Sequence, residues 1–426
     1  MIKYFWALIE SGSTVVFQFL SIVILSRLLT PEDYGIIGMM TIFITVGNIL
    51  IDSGMGGALI KKQDANKEDY STLFWFNMLV SVGCYVVLYI LSFVLSDFYN
   101  LPEFGSCLQV YGLSLIIAAF GVVQNTKLIK DLKFKQMAII AFIANLFGLV
   151  VAIVMAYKGY GYWSLVAQQM VYIFVRVVLQ VAVNRFVPQR MFSRKSFIEQ
   201  FRFGGSLMVS NIVNVVYNNI ISSIIPKVGT ITQNGMYAQA TKIQHVPVNI
   251  ITSVTDKVLF PVLSKCDNSN HWLQSVRKSS KMIVAIAFGA LLLCIVFSNI
   301  IVRIVLGEAW MEVVPYLKIL LLAAFGIVYQ YVARNILKSR GETSAILKAE
   351  VAKSVLGLVA IFISVRVGIM FMLWTYVAVS LGTSVIYAWL LKKQCSYSVQ
   401  KQLADMIVPI IVMVCSFFVV LGLEIV

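Results

Sequence analysis

The chain has 426 residues, of which 60% are apolar and only 12% charged, with a mean hydropathy of +0.88. A soluble chain carries about a quarter charged residues, so this composition excludes soluble domains, and it excludes disorder, which needs low hydrophobicity. The net charge of +15 then reads as basic loops retained on the cytoplasmic side of a membrane rather than as a nucleic-acid surface.

A helix needs about 20 apolar residues to cross a bilayer. In chain order the segments that meet this are 4–25, 35–59, 72–95, 104–124, 136–156, 162–183, 203–225, 235–259, 282–306, 313–337, 344–365, 368–391 and 403–423. These thirteen predict an all-α integral membrane protein, with the eighth span the least apolar. The first lies behind Lys3 and lacks a small-residue cleavage site, so it reads as an anchor rather than a signal peptide. The loops after even-numbered spans carry basic clusters such as Lys61, Lys62 and Lys67, then Lys127, Lys130, Lys133 and Lys135, then Arg185, Arg190, Arg194, Lys195 and Arg202. The odd-numbered loops carry one cation or none: Arg27, Lys158, Lys227, Arg303 and Arg366. This alternation places the chain in the cytoplasmic (inner) membrane with its N-terminus in the cytoplasm and its C-terminus outside.

An internal repeat appears at an offset of 200. Glu10, Ser11, Thr14 and Gln18 of span one correspond to Ser210, Asn211, Asn214 and Asn218 of span seven, and Arg27, Gly35 and Thr41 fall on Lys227, Gly235 and Thr241. An even number of spans separates the copies, so the repeat is parallel. It predicts an N-lobe at 1–185, a basic cytoplasmic linker at 186–202, a C-lobe at 203–393, and an additional span within 394–426.

Polar side chains facing lipid cost free energy, so stripes of them face protein or water. Glu10, Thr14, Gln18 and Ser21 share one helical face, as do Thr41, Thr45, Asn48 and Asp52. Span seven offers Asn211, Asn214 and Asn218, and span eight Lys242, His245 and Asn249. Convergence of these four stripes on a cleft between the lobes is the expectation. Arg176 lies mid-span on a face with Gln169, Tyr172 and Gln180. It is expected to meet an anionic substrate group, and Lys242 likewise. Glu10, Asp52 and His245 are the candidates for charge pairing or ion coupling. Glu350 and Lys353, at i and i+3, read as a structural ion pair.

No P-loop, HExxH, GxSxG or cysteine-based zinc spacing occurs. The six cysteines are scattered in or beside apolar runs and read as packed thiols. No cofactor, no metal and no enzyme activity is expected.

Several segments resemble the polysaccharide transporter family of the MOP exporter superfamily, which holds the Wzx-type O-antigen and teichuronic-acid flippases. The most specific is Ser26-Arg27-Leu28-Leu29-Thr30-Pro31-Glu32-Asp33-Tyr34-Gly35. Others are Gly159-Tyr160-Gly161-Tyr162-Trp163, Leu259-Phe260-Pro261-Val262-Leu263 and Leu306-Gly307-Glu308-Ala309-Trp310. Members usually have fourteen helices, one more than counted here. The resemblance implies a MATE-like bundle of 6+6 helices plus one. It implies a polyprenyl-pyrophosphate-linked oligosaccharide moved across the cytoplasmic membrane by alternating access, with the lipid bilayer and other glycan-assembly membrane proteins as partners and no nucleic acid. The alternatives are a MATE-type drug or cation antiporter, which favours acidic cavities, and a membrane glycan polymerase, which needs a loop-borne catalytic constellation.

The loop charges make a direct prediction. A cysteine replacing Lys133 should be labelled only from the cytoplasm and one replacing Leu101 only from outside, and the reverse pattern would overturn the topology.

Overall fold

The computed structural model describes residues 2–62, 64–264 and 269–422. Among these residues there is no strand. The helices are α1 (Ile2–Leu25), α2 (Pro31–Asp52), α3 (Met55–Lys61), α4 (Lys67–Tyr99), α5 (Pro102–Lys130), α6 (Phe134–Tyr157), α7 (Trp163–Asn184) and α8 (Arg194–Val228). They continue with α9 (Ile231–Ser264), α10 (Ser269–Val296), α11 (Ser298–Val305), α12 (Val313–Ser339), α13 (Thr343–Ser364), α14 (Ile369–Cys395) and α15 (Val399–Gly422). Nine helical segments among the described residues are long and apolar enough to cross a membrane. α8 and α9, which carry the asparagine and lysine–histidine stripes, are not among them. The chain is an all-helical, multi-pass membrane protein. It divides into two compact units, Met1–Lys227 and Val228–Val426.

In the first unit α5 is the central helix, packed on α4, α7 and α2, while α6 packs on α1 and α7. The helix starts are written in the sequence. Thr30 caps α2 with Pro31 in the first turn, and the Asp33 carboxylate returns to the Thr30 amide at 2.8 Å in a capping box. Asn66 and Asp69 repeat the device at α4.

Asp69 does more than cap. Its Oδ1 accepts from Lys62 Nζ at 3.0 Å and from Ser196 Oγ at 2.5 Å, and Gln200 Nε2 donates to Ser196 Oγ at 2.6 Å. The bond to Asp69 holds the Lys62 ammonium above the ordinary lysine range. Upstream of α8 the chain is pinned by Ser71 Oγ accepting from the Gln189 amide, by Thr72 Oγ1 accepting from the Ser193 amide, and by Trp75 Nε1 donating to the Gln189 carbonyl. The basic segment 186–202 is therefore fastened along the start of α4.

Higher up, α8 touches the turn between α2 and α3. Gly54 adopts a left-handed φ of 67°, and a Cβ there would come within 2.8 Å of the Gly204 carbonyl, so only glycine permits this approach. At its far end α8 is held by Tyr99 Oη donating to the Ser223 carbonyl at 2.9 Å, and by Lys227 Nζ donating to the Phe98 carbonyl at 2.7 Å.

In the second unit α12 is buried along most of its length and packs on α9, α10, α14 and α15. Its contact with α14 uses small and polar groups, as membrane helices without a hydrophobic driving force between them do. Ser380 Oγ donates to the Ala323 carbonyl and Gln330 Nε2 to the Ser380 carbonyl, both at 2.8 Å. The expected Glu350–Lys353 pair forms at 2.9 Å, joined by Arg334 at 3.5 Å and by the Tyr387 hydroxyl at 2.7 Å. The base of α15 is locked to α10 by a two-pronged contact of Arg277 with Asp405, at 2.6 and 2.8 Å, to which Tyr397 Oη adds a third bond at 2.9 Å.

The Asp69 cluster predicts that Asp69→Ala releases the linker. Losing these charge-assisted bonds costs about 2–3 kcal/mol. The purified variant should melt at a lower temperature and be cut faster by trypsin after Arg190 and Arg194, while Ser196→Ala should shift both readouts less.

Candidate functional site

The first unit contains a half-open cavity of about 430 Å³, within the range of small-ligand sites. Three helices form it, and each contributes through its own periodicity. α2 presents Thr41, Thr45, Asn48 and Asp52, and α7 presents Gln169, Tyr172, Arg176 and Gln180. Spacings of three and four residues keep each set on one helical face. The third wall is α5, with Tyr111, Asn125 and Thr126. α5 and α7 approach closely at Gly121, where a Cβ would lie 2.9 Å from Val177 Cγ2 and 3.0 Å from Gln180 Oε1.

Arg176 is the cation of this lining. Its Nη1 donates to Tyr172 Oη at 3.3 Å and its Nη2 to Asn125 Oδ1 at 3.4 Å, with the guanidinium carbon 6.0 Å from the Tyr172 ring centroid. Gln180 Nε2 shares the same Asn125 oxygen at 3.3 Å. None of the ion pairs among the described residues includes Arg176. The arginine is thus oriented by neutral groups through long bonds, and three of its five N–H donors are left for something else. Asp52 is the carboxylate of the lining.

The threonine hydroxyl donors are already spent. Thr41 Oγ1 donates to the Ile37 carbonyl at 3.0 Å, Thr45 Oγ1 to the Thr41 carbonyl at 2.6 Å, and Thr126 Oγ1 to the Val122 carbonyl at 2.9 Å. Toward the cavity these oxygens can only accept.

Of the side chains singled out from the sequence, Asn48, Asp52, Gln169, Arg176 and Gln180 are brought together here. Gln18 is exposed on α1 and is not part of this lining. Asn211, Asn214 and Asn218 lie along α8, where Asn218 Nδ2 donates to Asn214 Oδ1 at 3.0 Å. Lys242 and His245 are exposed on α9, in the second unit. The side chain of Glu10 lies outside the described residues.

Sequence reasoning missed the α5 wall. A signal was there: Tyr111, Ala118, Val122 and Asn125 recur at helical spacing, but the apolar members hide the polar one, and the basic residues at the end of the helix draw the eye.

The matches to known proteins agree with this architecture. The chain matches the family described as polysaccharide biosynthesis protein over residues 24–315. It is 28% identical over 323 residues to an uncharacterized membrane protein in the cps region of Klebsiella pneumoniae, covering 75% of this chain and 66% of that one. It is 25% identical over 260 residues to the succinoglycan biosynthesis transport protein ExoT of Rhizobium meliloti (strain 1021), covering 61% of this chain and 53% of that one. The matches thus span between about half and just under two thirds of these relatives' lengths. Among solved structures, the lipid II flippase MurJ superposes with a TM-score of 0.74 at 12% identity, over 99% of each chain. The likeness establishes the fold, which MurJ shares with MATE transporters of the MOP superfamily. With more than half of its length matched, and on that all-helical membrane fold, the chain belongs to the polysaccharide biosynthesis protein family.

Proposed function

We propose that this protein moves a polyprenyl-pyrophosphate-linked oligosaccharide from the cytoplasmic to the outer leaflet of the cytoplasmic membrane by alternating access. The observation that carries this reading is a polar cavity, bearing an arginine with no acidic partner among the described residues, inside a unit of membrane-spanning helices. A charge held there costs about 2.5–3.5 kcal/mol on insertion scales, so its presence calls for an anionic ligand. A sugar head group is covered in hydroxyls and its carrier is anionic, and neither crosses hydrocarbon without partners. The family match, the transport role in the name of the R. meliloti relative and the flippase role in the name of MurJ support the same reading.

In this reading Arg176 meets an anionic group of the head group, and Asn48, Gln169 and Gln180 contact its polar surface. On their spacing, Lys242, Gln18, Asn211, Asn214 and Asn218 are assigned to further head-group contacts, and Glu10, Asp52 and His245 to charge pairing or coupling. The repeat supports functional lobes at 1–185 and 203–393, with 186–202 between them, 394–426 appended, and the N-terminus in the cytoplasm. The chemistry is transport rather than catalysis. The carboxylate of Asp52 in the cavity favours a second reading, a MATE-type antiporter for an organic cation.

A deletion strain should accumulate lipid-linked oligosaccharide in the cytoplasmic leaflet. Normal leaflet distribution would overturn the flippase reading, and loss of cation-drug efflux instead would favour the antiporter. In the complemented strain, Arg176→Ala should abolish most export without lowering the amount of protein in the membrane, because a charge-assisted contact of about 1.5–3 kcal/mol is lost. Arg176→Lys, which keeps the charge but not the planar fork, should retain part of it. Normal export by Arg176→Ala would remove the arginine from the site.

A further inference from the structure

We infer that the cavity of the first unit receives a sugar bearing a single carboxylate, such as a hexuronic acid unit of the head group, and not the diphosphate of the carrier. This rests on the flippase reading above and narrows it to one part of the substrate.

The charge of the lining is the first reason. Its ionisable side chains other than tyrosine are Arg176 and Asp52. The fixed charge is zero when Asp52 is ionised and plus one when it is protonated. A diphosphate diester brings two negative charges and would leave at least one without a fixed counter-charge in the lining. A single carboxylate is balanced by Arg176 when Asp52 is protonated and leaves one negative charge when Asp52 is ionised, in either case one fewer than a diphosphate leaves.

The direction of the hydrogen bonds is the second reason. The hydroxyls of Thr41, Thr45 and Thr126 have given their protons to backbone carbonyls, and ionised Asp52 is acceptor-only. The α2 side of the cavity therefore offers mainly acceptors, with the Asn48 amide as its side-chain N–H donor. Phosphate oxygens also only accept, so a diphosphate set there meets lone pairs with lone pairs. A sugar ring carries hydroxyl donors that satisfy these oxygens.

The donors lie across the cavity, on α7. Arg176 and Gln180 both point N–H groups at Asn125 Oδ1, at 3.4 and 3.3 Å. Two long bonds to one neutral oxygen are readily exchanged for a carboxylate, which accepts a guanidinium fork through two parallel bonds. Asn125 thus parks the donors until a carboxylate replaces it. The division of the cavity is then one acidic group toward Arg176 and Gln180, with ring hydroxyls toward Thr41, Thr45 and Asp52.

The test is thermal melting of the whole purified chain in lipid nanodiscs, titrated separately with glucuronate, glucose and inorganic pyrophosphate. Glucuronate should stabilise the wild type with an apparent affinity about tenfold or more above that for glucose, and pyrophosphate should bind more weakly than glucuronate. Arg176→Gln should erase the advantage of glucuronate over glucose. Arg176→Lys should keep a reduced advantage, which reads the same contact should the glutamine variant not fold. Asp52→Asn, which removes the negative charge and adds a donor, should raise pyrophosphate binding relative to glucose. Glucuronate binding no tighter than glucose to the wild type would overturn the inference. So would pyrophosphate binding as tightly as glucuronate, a result that leaves the flippase reading intact and moves Arg176 to the carrier diphosphate. Failure of the flippase reading itself is seen separately, as a normal leaflet distribution in the deletion strain.

Discussion

Hydrocarbon provides no partner for a polar group, and the fold of this chain follows from that constraint. Backbone amides and carbonyls are satisfied within helices, so no strand occurs among the described residues. Side-chain polar groups need partners of their own, and each stripe along a helix must be turned toward protein, toward a cavity or toward water at a helix end. The polar faces of α2 and α7 meet this demand at the cavity beside α5. Thr41, Thr45 and Thr126 meet it a second way, by bonding back into their own helices. That economy removes their donors from the cavity and so gives the site its acceptor-rich wall.

Charges obey the same rule with higher stakes. Several charges among the described residues are paired: Glu350 with Lys353 and Arg334, and Arg277 with Asp405. These clusters join α12, α13 and α14 and fasten α15 to α10, so the electrostatic cost of placing ions among helices is offset by contacts that fix helix positions. Arg176 is held differently. Its partners are neutral and its bonds long, an arrangement suited to exchange with a ligand rather than to holding the fold together.

The segment 186–202 shows how polar contacts outside the apolar spans organise the ones within. Asp69 caps its own helix, binds Lys62 and receives Ser196, so the start of α4 and the base of α8 form one hydrogen-bonded unit. The glycine contact at Gly54 and Gly204 and the bond from Tyr99 to Ser223 continue that attachment along α8. α8 is accordingly counted with the first unit up to Lys227, although the offset of 200 in the sequence predicts that it corresponds to α1.

The membrane class, the all-helical fold and the faces of α2 and α7 were determined by the sequence alone, because apolar run length and a period of 3.6 residues are local properties that any reader of the chain can count. The capping residues Thr30 and Asn66 were equally local. What the sequence could not decide was which faces meet. Gln18 shares the spacing of a cavity stripe but does not line the cavity of the first unit, whereas Asn125, which no polar stripe in the sequence singles out, is part of its wall. The hydrogen bonds from Arg176 and Gln180 to Asn125 join residues 51 and 55 positions apart. Only the packing of α5 against α7, permitted by the missing side chain of Gly121, brings them within hydrogen-bonding distance. Periodicity fixes the direction in which a side chain leaves its helix, and tertiary packing alone fixes what it finds there.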